Sequence, residues 1–416
     1  MRVVVSHPTG NANVRAVLRG LQDREMLGAF CTTLAIAEPW LSKLPVPATI
    51  RAELTARVFP EVPAASVVTH PLRETVRQIA RRICWKRLTR HETGWASYHQ
   101  VYYGLDRAVA ARLPRFASDG ARGVYAYEDG AMVSFSKAKG LGLTCVYDLS
   151  SPHWRAVKEI LEEERDRRPD WAGTMDGLID SDRLRNRKDQ ELDLSDHIMV
   201  ASSFSRSALG NYLGTEETIS VLPYGAPDPK TDQVAARAPG APIRVFFAGR
   251  LSQSKGFADL VAGLGRLQVD WHATIAGGLP REVPDELSSF LGRDNVDYLG
   301  FVTPDQLFGA MTQAHVFVFP SLYEGFGMVL TEAMACGLPI IATPHTAAPD
   351  LIADGREGFI VPIRDPDAIA DRITRLAENE GLRQTMAQAA LDLAARSPWS
   401  RYEEAVAATI SEAIGP

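Results

Sequence analysis

The chain has 416 residues, 45% hydrophobic and 23% charged, with a formal net charge of -6. This composition excludes a disordered chain, and the length suits two domains of about 150–200 residues. The acidic balance argues against nucleic acid as the main partner. Cys31, Cys84, Cys145 and Cys336 form no C-x-x-C pair and read as buried reduced thiols, and no run reaches the roughly 18 apolar residues of a membrane span.

The N-terminal MRVVVSH enters a strand at once, without a charged and then apolar leader, so the expected location is the cytoplasm. RVVVSHPTGNANVRAVLRGL reads as strand, loop and helix, with Val14, Val17, Leu18 and Leu21 on the helix's apolar face. The loop lacks a full G-x-G-x-x-G; on its residues alone it needs Gly10 for the turn and offers Asn11 as a helix cap. A second strand, LGAFCTTLAI, is followed by residues 38–95, whose prolines break the alternation and mark an insertion. Within it, PLRETVRQIARRICWKRLTRH places Leu72, Val76, Ile79 and Ile83 on one helical face among seven basic residues. Two readings apply to residues 72–91: contact with an anionic membrane or a phosphorylated acceptor, or a surface helix packing its apolar stripe on the domain.

WASYHQVYYGLDRAVAARL is a further helix, and two strands beyond it end in acids, Glu128–Asp129 and Asp148. VKEILEEERDRRPDW and RLRNRKDQELDL alternate in charge and read as solvated helices. HIMVASSFSRSALGNYL supplies a last strand and helix, and TISVLPYGAPDP closes the first domain near residue 225. Residues 226–242 are a proline- and alanine-rich linker.

IRVFFAGRLSQSKGFADLVAGLGRL opens the second domain as strand, loop and helix, with Gly249, Arg250, Lys255 and Gly256 in the loop. WHATIAGG, VDYLGFV and HVFVFP are further parallel strands. After Pro320 the turn EGFG leads into a helix expected from about Phe326, whose first amides, Gly327 to Val329, lack acceptors. Glu324 precedes that helix and Glu332 lies two turns into it. Gly325 and Gly327 permit close backbone approach, and a helix start suits a phosphate. The combination points to an anion with a sugar attached.

EGFGMVLTE with AMACGLPIIAT resembles the Glu, seven residues, Glu signature of the retaining glycosyltransferases of family 4. The resemblance extends to GRLSQSKG, ADGREGFIVP and LPYG, covers nearly all of residues 196–416, and in the first half follows only the pattern of elements. It implies the α/β GT-B fold, two Rossmann-like doubly wound domains facing across a cleft. The first, 1–225, would take the acceptor, the second, 226–398, the nucleotide-sugar, and a last helix, 399–416, would cross back. It also implies a metal-independent hexosyl transfer without cofactor, from a UDP- or GDP-linked donor to a hydroxyl of a glycan or lipid-linked acceptor. The protein would be cytoplasmic or peripheral to the inner face of a membrane.

By the same resemblance Arg250 and Lys255 bind the donor diphosphate. Glu324 and Glu332 hold sugar and ribose hydroxyls, Gly249, Gly325, Phe326, Gly327, Met328 and Val329 line the donor, and Phe301 and Val302 meet the nucleobase. His7, Gly10 and Asn11 face the acceptor. Family 4 commonly carries histidines at the two strand ends; here the matching positions are Glu128 or Asp129, and Asp148, with His153 a nearby candidate for the histidine's part. Asp148 then either orients the acceptor or stabilises charge at the anomeric carbon, or caps the following helix. The rival readings are a phosphorylase or epimerase of the same fold, an NAD-dependent oxidoreductase, and a binding protein without activity.

Overall fold

A computed structural model describes residues 1–37, 48–210 and 218–415. Seven short apolar runs form the first sheet: β1 (Arg2–Ser6), β2 (Leu27–Thr32), β3 (Val67–Thr69), β4 (Ala121–Tyr127), β5 (Thr144–Leu149), β6 (His197–Val200) and β7 (Ile219–Val221). All neighbours are parallel, in the order β3-β2-β1-β4-β5-β6-β7. The second sheet contains β8 (Ile243–Ala248), β9 (Trp271–Ala276), β10 (Val296–Gly300), β11 (Val316–Phe319), β12 (Ile340–Ala342) and β13 (Gly358–Ile360), again parallel, in the order β10-β9-β8-β11-β12-β13. Helices cover both faces, as all-parallel sheets require. The strand order reverses between β1 and β4 in the first sheet and between β8 and β11 in the second. At such switch points the loops leaving the carboxyl ends part and leave a crevice.

The last helix, Trp399–Ile414, packs on Ala12–Asp23 of the first domain and buries Tyr402, Val406 and Ile410 in that domain's core. Tyr224, in the crossing strand-to-linker turn, lies between Phe326, Trp399 and Tyr402.

Three sequence expectations change. The stretch 38–95 is more than an insertion, because it supplies the edge strand β3; residues 38–47 of it lie outside the described residues. The basic helix runs only over Leu72–Arg82, breaks where Cys84 takes a positive φ of 55°, and resumes briefly at Lys86–Thr89. Three of its four apolar-face residues do not pack on the domain: Leu72, Ile79 and Ile83 are 62%, 52% and 61% exposed while Val76 is half-buried, and the helix buries Glu74 and Ala80 instead. Glu74 tolerates burial because Arg57, Arg77 and Gln78 all donate to it. Cys84 is likewise exposed, whereas Cys31, Cys145 and Cys336 are buried, and all four are free thiols.

The third change concerns the helix Trp154–Arg167, which reads as solvated but forms a seam between the domains. Glu164 is fully buried and accepts from Gln253 at 2.7 Å and from Arg364 at 2.8 Å. Arg167 donates to Asp259 at 2.8 Å. Trp171, just beyond, enters the second domain's core beside Phe257 and donates to Glu286 at 2.8 Å. Charge alternation could not reveal this, because the partners come from the other domain.

Candidate functional site

The two switch points face each other across a pocket of about 470 Å³. From the second domain it is lined by Ala248, Gly249 and Lys255 after β8, by Phe319, Glu324, Phe326 and Gly327 after β11, by Met328 and Val329, and by Leu307. From the first domain come Asn11, Asn13, Ser150 and Tyr224.

Met328 begins the helix Met328–Ala335, two residues later than its sequence suggests, because Gly327 adopts a left-handed φ of 87° and ends the turn. No side chain caps the helix, so its first amides open toward the pocket with the positive end of the helix dipole. Lys255 bonds to Glu324 across the pocket, joining the loop after β8 to the loop after β11. Arg250 points the other way and pairs with Asp176 of the first domain, a half-exposed contact across the cleft.

Gly325 has a role its sequence context does not suggest. A Cβ there would lie 1.9 Å from the Ser150 carbonyl oxygen, so the glycine admits the first domain's backbone rather than a ligand. Its own carbonyl accepts from Ser202 at 2.7 Å and Ser205 at 3.2 Å, which pins the EGFG turn to the first domain. Glu332 lies further along the helix and outside the pocket lining, half-buried, with burial raising its carboxyl above the ordinary range. Phe301 and Val302 follow the edge strand β10; Phe301 is 91% exposed and lies over Gly278, while Val302 packs inward.

Of the residues expected on the acceptor side, Asn11 alone lines this pocket. It stands at the helix start but makes no cap; its amide oxygen accepts from the Thr9 hydroxyl at 2.7 Å. Gly10 is required for packing, since a Cβ would lie 2.2 Å from the Phe59 ring. His7 is buried, accepts from the Thr9 amide at 3.0 Å, and stands edge-on to Tyr127; burial lowers its pKa to about 4, so the ring is neutral.

Glu128 pairs with Lys188 at 3.2 Å, and burial raises its carboxyl to about 7. Asp129 takes a positive φ of 70° beside the same lysine. Neither caps the next helix: buried Glu191 accepts from the amides of Asp129, Ala131 and Met132, and Asp106 from Val133 and Ser134. His153 lies 3.1 Å from Asp189, which also accepts from Trp154.

Asp148 does not reach the cleft. Its side chain turns into the first domain's core, 3% exposed, where Tyr125 donates to it at 2.6 Å. Burial raises its carboxyl to about 7, against the opposing effect of the Tyr125 and Tyr127 hydroxyls. It does not cap a helix either, since the next helix begins at Trp154. The cleft wall beyond β5 belongs to Ser150, two residues on.

On the first domain's side, Asn13, Ser150 and Tyr224 are the site residues the sequence does not single out. Asn13 donates to the Tyr224 hydroxyl at 3.3 Å, which ties the first helix to the turn between domains. Their only sequence signal is position: Asn13 in the first turn of a helix, Ser150 just past a strand end and Tyr224 in the interdomain turn. Among the described residues one group of His and acid side chains lies close enough to share a cation, His91, Glu92 and Asp180, and it is outside this pocket. No helix of the described residues is long and apolar enough to cross a membrane.

Known proteins show the following likeness to this chain. Residues 229–392 match the family model described as glycosyl transferases group 1. The D-inositol 3-phosphate glycosyltransferase of Corynebacterium jeikeium is 31% identical over 218 residues, 47% of this chain and 52% of that protein. The putative colanic acid biosynthesis glycosyltransferase WcaL of Salmonella typhimurium is 27% identical over 172 residues, 39% of this chain and 42% of the relative. The chain thus spans about half the length of the curated relatives it matches.

Whole-chain likeness comes from structures. Anabaena Alr3699/HepE in complex with UDP superposes with a TM-score of 0.62 at 18% identity, over 99% of this chain and 100% of that one. Sucrose-phosphate synthase from Thermosynechococcus elongatus gives 0.65 at 17%, over 99% and 98%. At such identity the likeness establishes the fold, the GT-B arrangement of two Rossmann-like domains.

Proposed function

We propose that the chain is a glycosyltransferase that moves a hexosyl group from a UDP- or GDP-linked donor to a hydroxyl of a glycan or lipid-linked acceptor. The observation that carries the reading is the Lys255 ammonium and the uncapped start of Met328–Ala335 meeting at the second sheet's switch point. A lysine ammonium and free backbone amides at one place form the core of a diphosphate site. The match of residues 229–392 to a glycosyltransferase model and the UDP held by a protein of the same fold support it.

In this reading the donor diphosphate replaces Glu324 on Lys255 and Asp176 on Arg250, and the two cations neutralise it as it leaves. Glu324, freed from the lysine, accepts hydrogen bonds from the sugar hydroxyls. Glu332 takes the ribose diol, and the Phe301 ring is available to the base.

The first-domain wall of the pocket, Asn11, Asn13, Ser150 and Tyr224, carries no group that ionises near neutral pH, since burial pushes the Tyr224 hydroxyl well above its ordinary value. The proton acceptor nearest the acceptor hydroxyl is then the departing phosphate itself. The acceptor oxygen attacks the anomeric carbon on the face the phosphate leaves, its proton passes to a phosphate oxygen, and configuration is retained. Asp148 stays in the core, where it holds Tyr125. With the charge of the leaving group carried by Lys255 and Arg250, the transfer proceeds without a metal.

Incubating the protein with UDP- and GDP-sugars and a panel of glycan and lipid acceptors, with and without chelator, tests the reading. Glycosylated acceptor formed at equal rates in both supports it; epimerised donor without acceptor, or a rate abolished by chelator, overturns the corresponding part.

A further inference from the structure

A second pocket, of about 540 Å³, adjoins the first across Asn11, which lines both. Its walls are the loop Thr9–Asn11, the chain after β2, and the helices Ala48–Thr55 and Leu72–Arg82. Two features of the lining have no part in the donor site. Leu34, Ile36, Leu54 and Ile79 are its apolar lining, and Arg57, Arg81 and Arg82 are its cationic lining, with a single carboxylate, Glu53.

The three arginines differ in availability. Arg57 is committed, donating to the Pro8 carbonyl and to Glu74, both at 3.0 Å. Arg82 pairs with Glu53 on the surface, where an ion pair is weak and exchangeable. The Arg81 side chain is exposed and has no hydrogen-bond or ion-pair partner among the described residues. The lining therefore has cationic charge in excess of its own acids, beside apolar surface. The available guanidinium groups suit a phosphate, and the apolar residues beside them suit a hydrocarbon.

The apolar lining continues outward along the helix face: Ile79 lines the pocket and is half exposed, and Leu72 and Ile83, spaced to lie on the same face, are 62% and 61% exposed. A run of uncovered apolar side chains beside available arginines fits a molecule with both a charge and a chain.

We propose that this pocket holds the acceptor as an anionic amphiphile, its phosphate ester on Arg81 and Arg82 and its hydrocarbon on Ile79, Leu54 and the apolar residues beyond. The shared wall at Asn11 then sets the sugar or hydroxyl end of that molecule at the donor pocket. The word acceptor rests on the glycosyltransferase reading; the binding chemistry does not.

The test is isothermal titration of the full chain with octyl phosphate below its micelle concentration. Inorganic phosphate, glucose 6-phosphate and octyl glucoside serve as probes that carry only one half of the chemistry. Octyl phosphate should bind at least about tenfold more tightly than any of the three. Arg81→Glu and Ile79→Asn should each weaken it by about tenfold or more while leaving the affinity for UDP or GDP unchanged, which also reports that the variants fold. Equal binding of inorganic phosphate or glucose 6-phosphate would reduce the site to a simple anion site, and equal binding of octyl glucoside to a greasy groove. Either result, or octyl phosphate binding indifferent to both substitutions, or no binding at all, overturns the proposal. Failure of the wild type to bind UDP or GDP while octyl phosphate still binds would instead sink the glycosyltransferase reading.

Discussion

Replacing Asp148 with asparagine separates a structural acid from a catalytic one. In the folded chain burial holds this carboxyl at about 7, whereas an unfolded aspartate titrates near 3.9. Between these two values the folded state keeps the proton that the unfolded state loses, so the wild-type contribution to stability falls as pH rises through this window and stays low above it. The full difference corresponds to about 4 kcal/mol above pH 7, of which roughly 3 kcal/mol accrues between pH 5 and pH 8. An asparagine side chain would keep an acceptor for the Tyr125 hydroxyl and has no proton to lose. Urea denaturation of Asp148→Asn and wild type at both pH values should therefore show the variant gaining on wild type between pH 5 and pH 8. Donor turnover should survive, because the side chain faces the core and not the cleft. Parallel stability curves at the two pH values would refute the burial argument. Loss of turnover at unchanged stability would restore Asp148 to the chemistry.

Asp176→Asn should free Arg250 for the donor diphosphate; the pair is 39% and 49% exposed, so the gain is at most about 1 kcal/mol, or roughly fivefold in nucleotide affinity, and shrinks in high salt. Weaker nucleotide binding by that variant in titration calorimetry would show that Asp176 positions the arginine and does not compete for it. Trp171→Ala should destabilise the second domain by about 3–5 kcal/mol in urea, since the indole fills that domain's core from the first domain's chain. A shift below about 1 kcal/mol would mean that the seam is not integral to the core. Changing Lys86, Arg87 and Arg90 together to Glu should release the protein from anionic vesicles in a sedimentation assay, each exposed cation contributing about 1 kcal/mol at such a surface. Wild-type protein that never sediments with those vesicles would end the membrane reading of residues 72–91.

Much of the second domain's side of the pocket was legible because its determinants are local. Apolar runs closed by glycine or proline gave the strands, as at His315 to Pro320, and the spacing of Lys255, Glu324 and Gly327 placed them on two loops that leave neighbouring strands β8 and β11. The first-domain side was not, because its geometry depends on which way a strand-end side chain turns. Asp148 and Ser150 stand two residues apart near the end of β5, and only the packing of Tyr125 against the crossing helix decides that the serine lines the cleft. The same limit hid Glu164 and Glu191, whose charge pattern matches a solvated helix but whose partners arrive from distant elements. Conversely, Leu72, Ile79 and Ile83 carry an amphipathic pattern that predicts burial, yet Glu74 takes the inward position through its arginines.

The central claim is that Lys255 and the start of Met328–Ala335 form a nucleotide diphosphate site, and calorimetric titration of UDP and GDP into wild type and Lys255→Ala tests it most directly. The account predicts one-to-one binding of at least one of the two nucleotides. It also predicts a loss of about 10- to 100-fold in the variant, the effect of removing a charged hydrogen-bond partner of the phosphates. Absence of binding by either nucleotide, or equal affinity in wild type and Lys255→Ala, would contradict it.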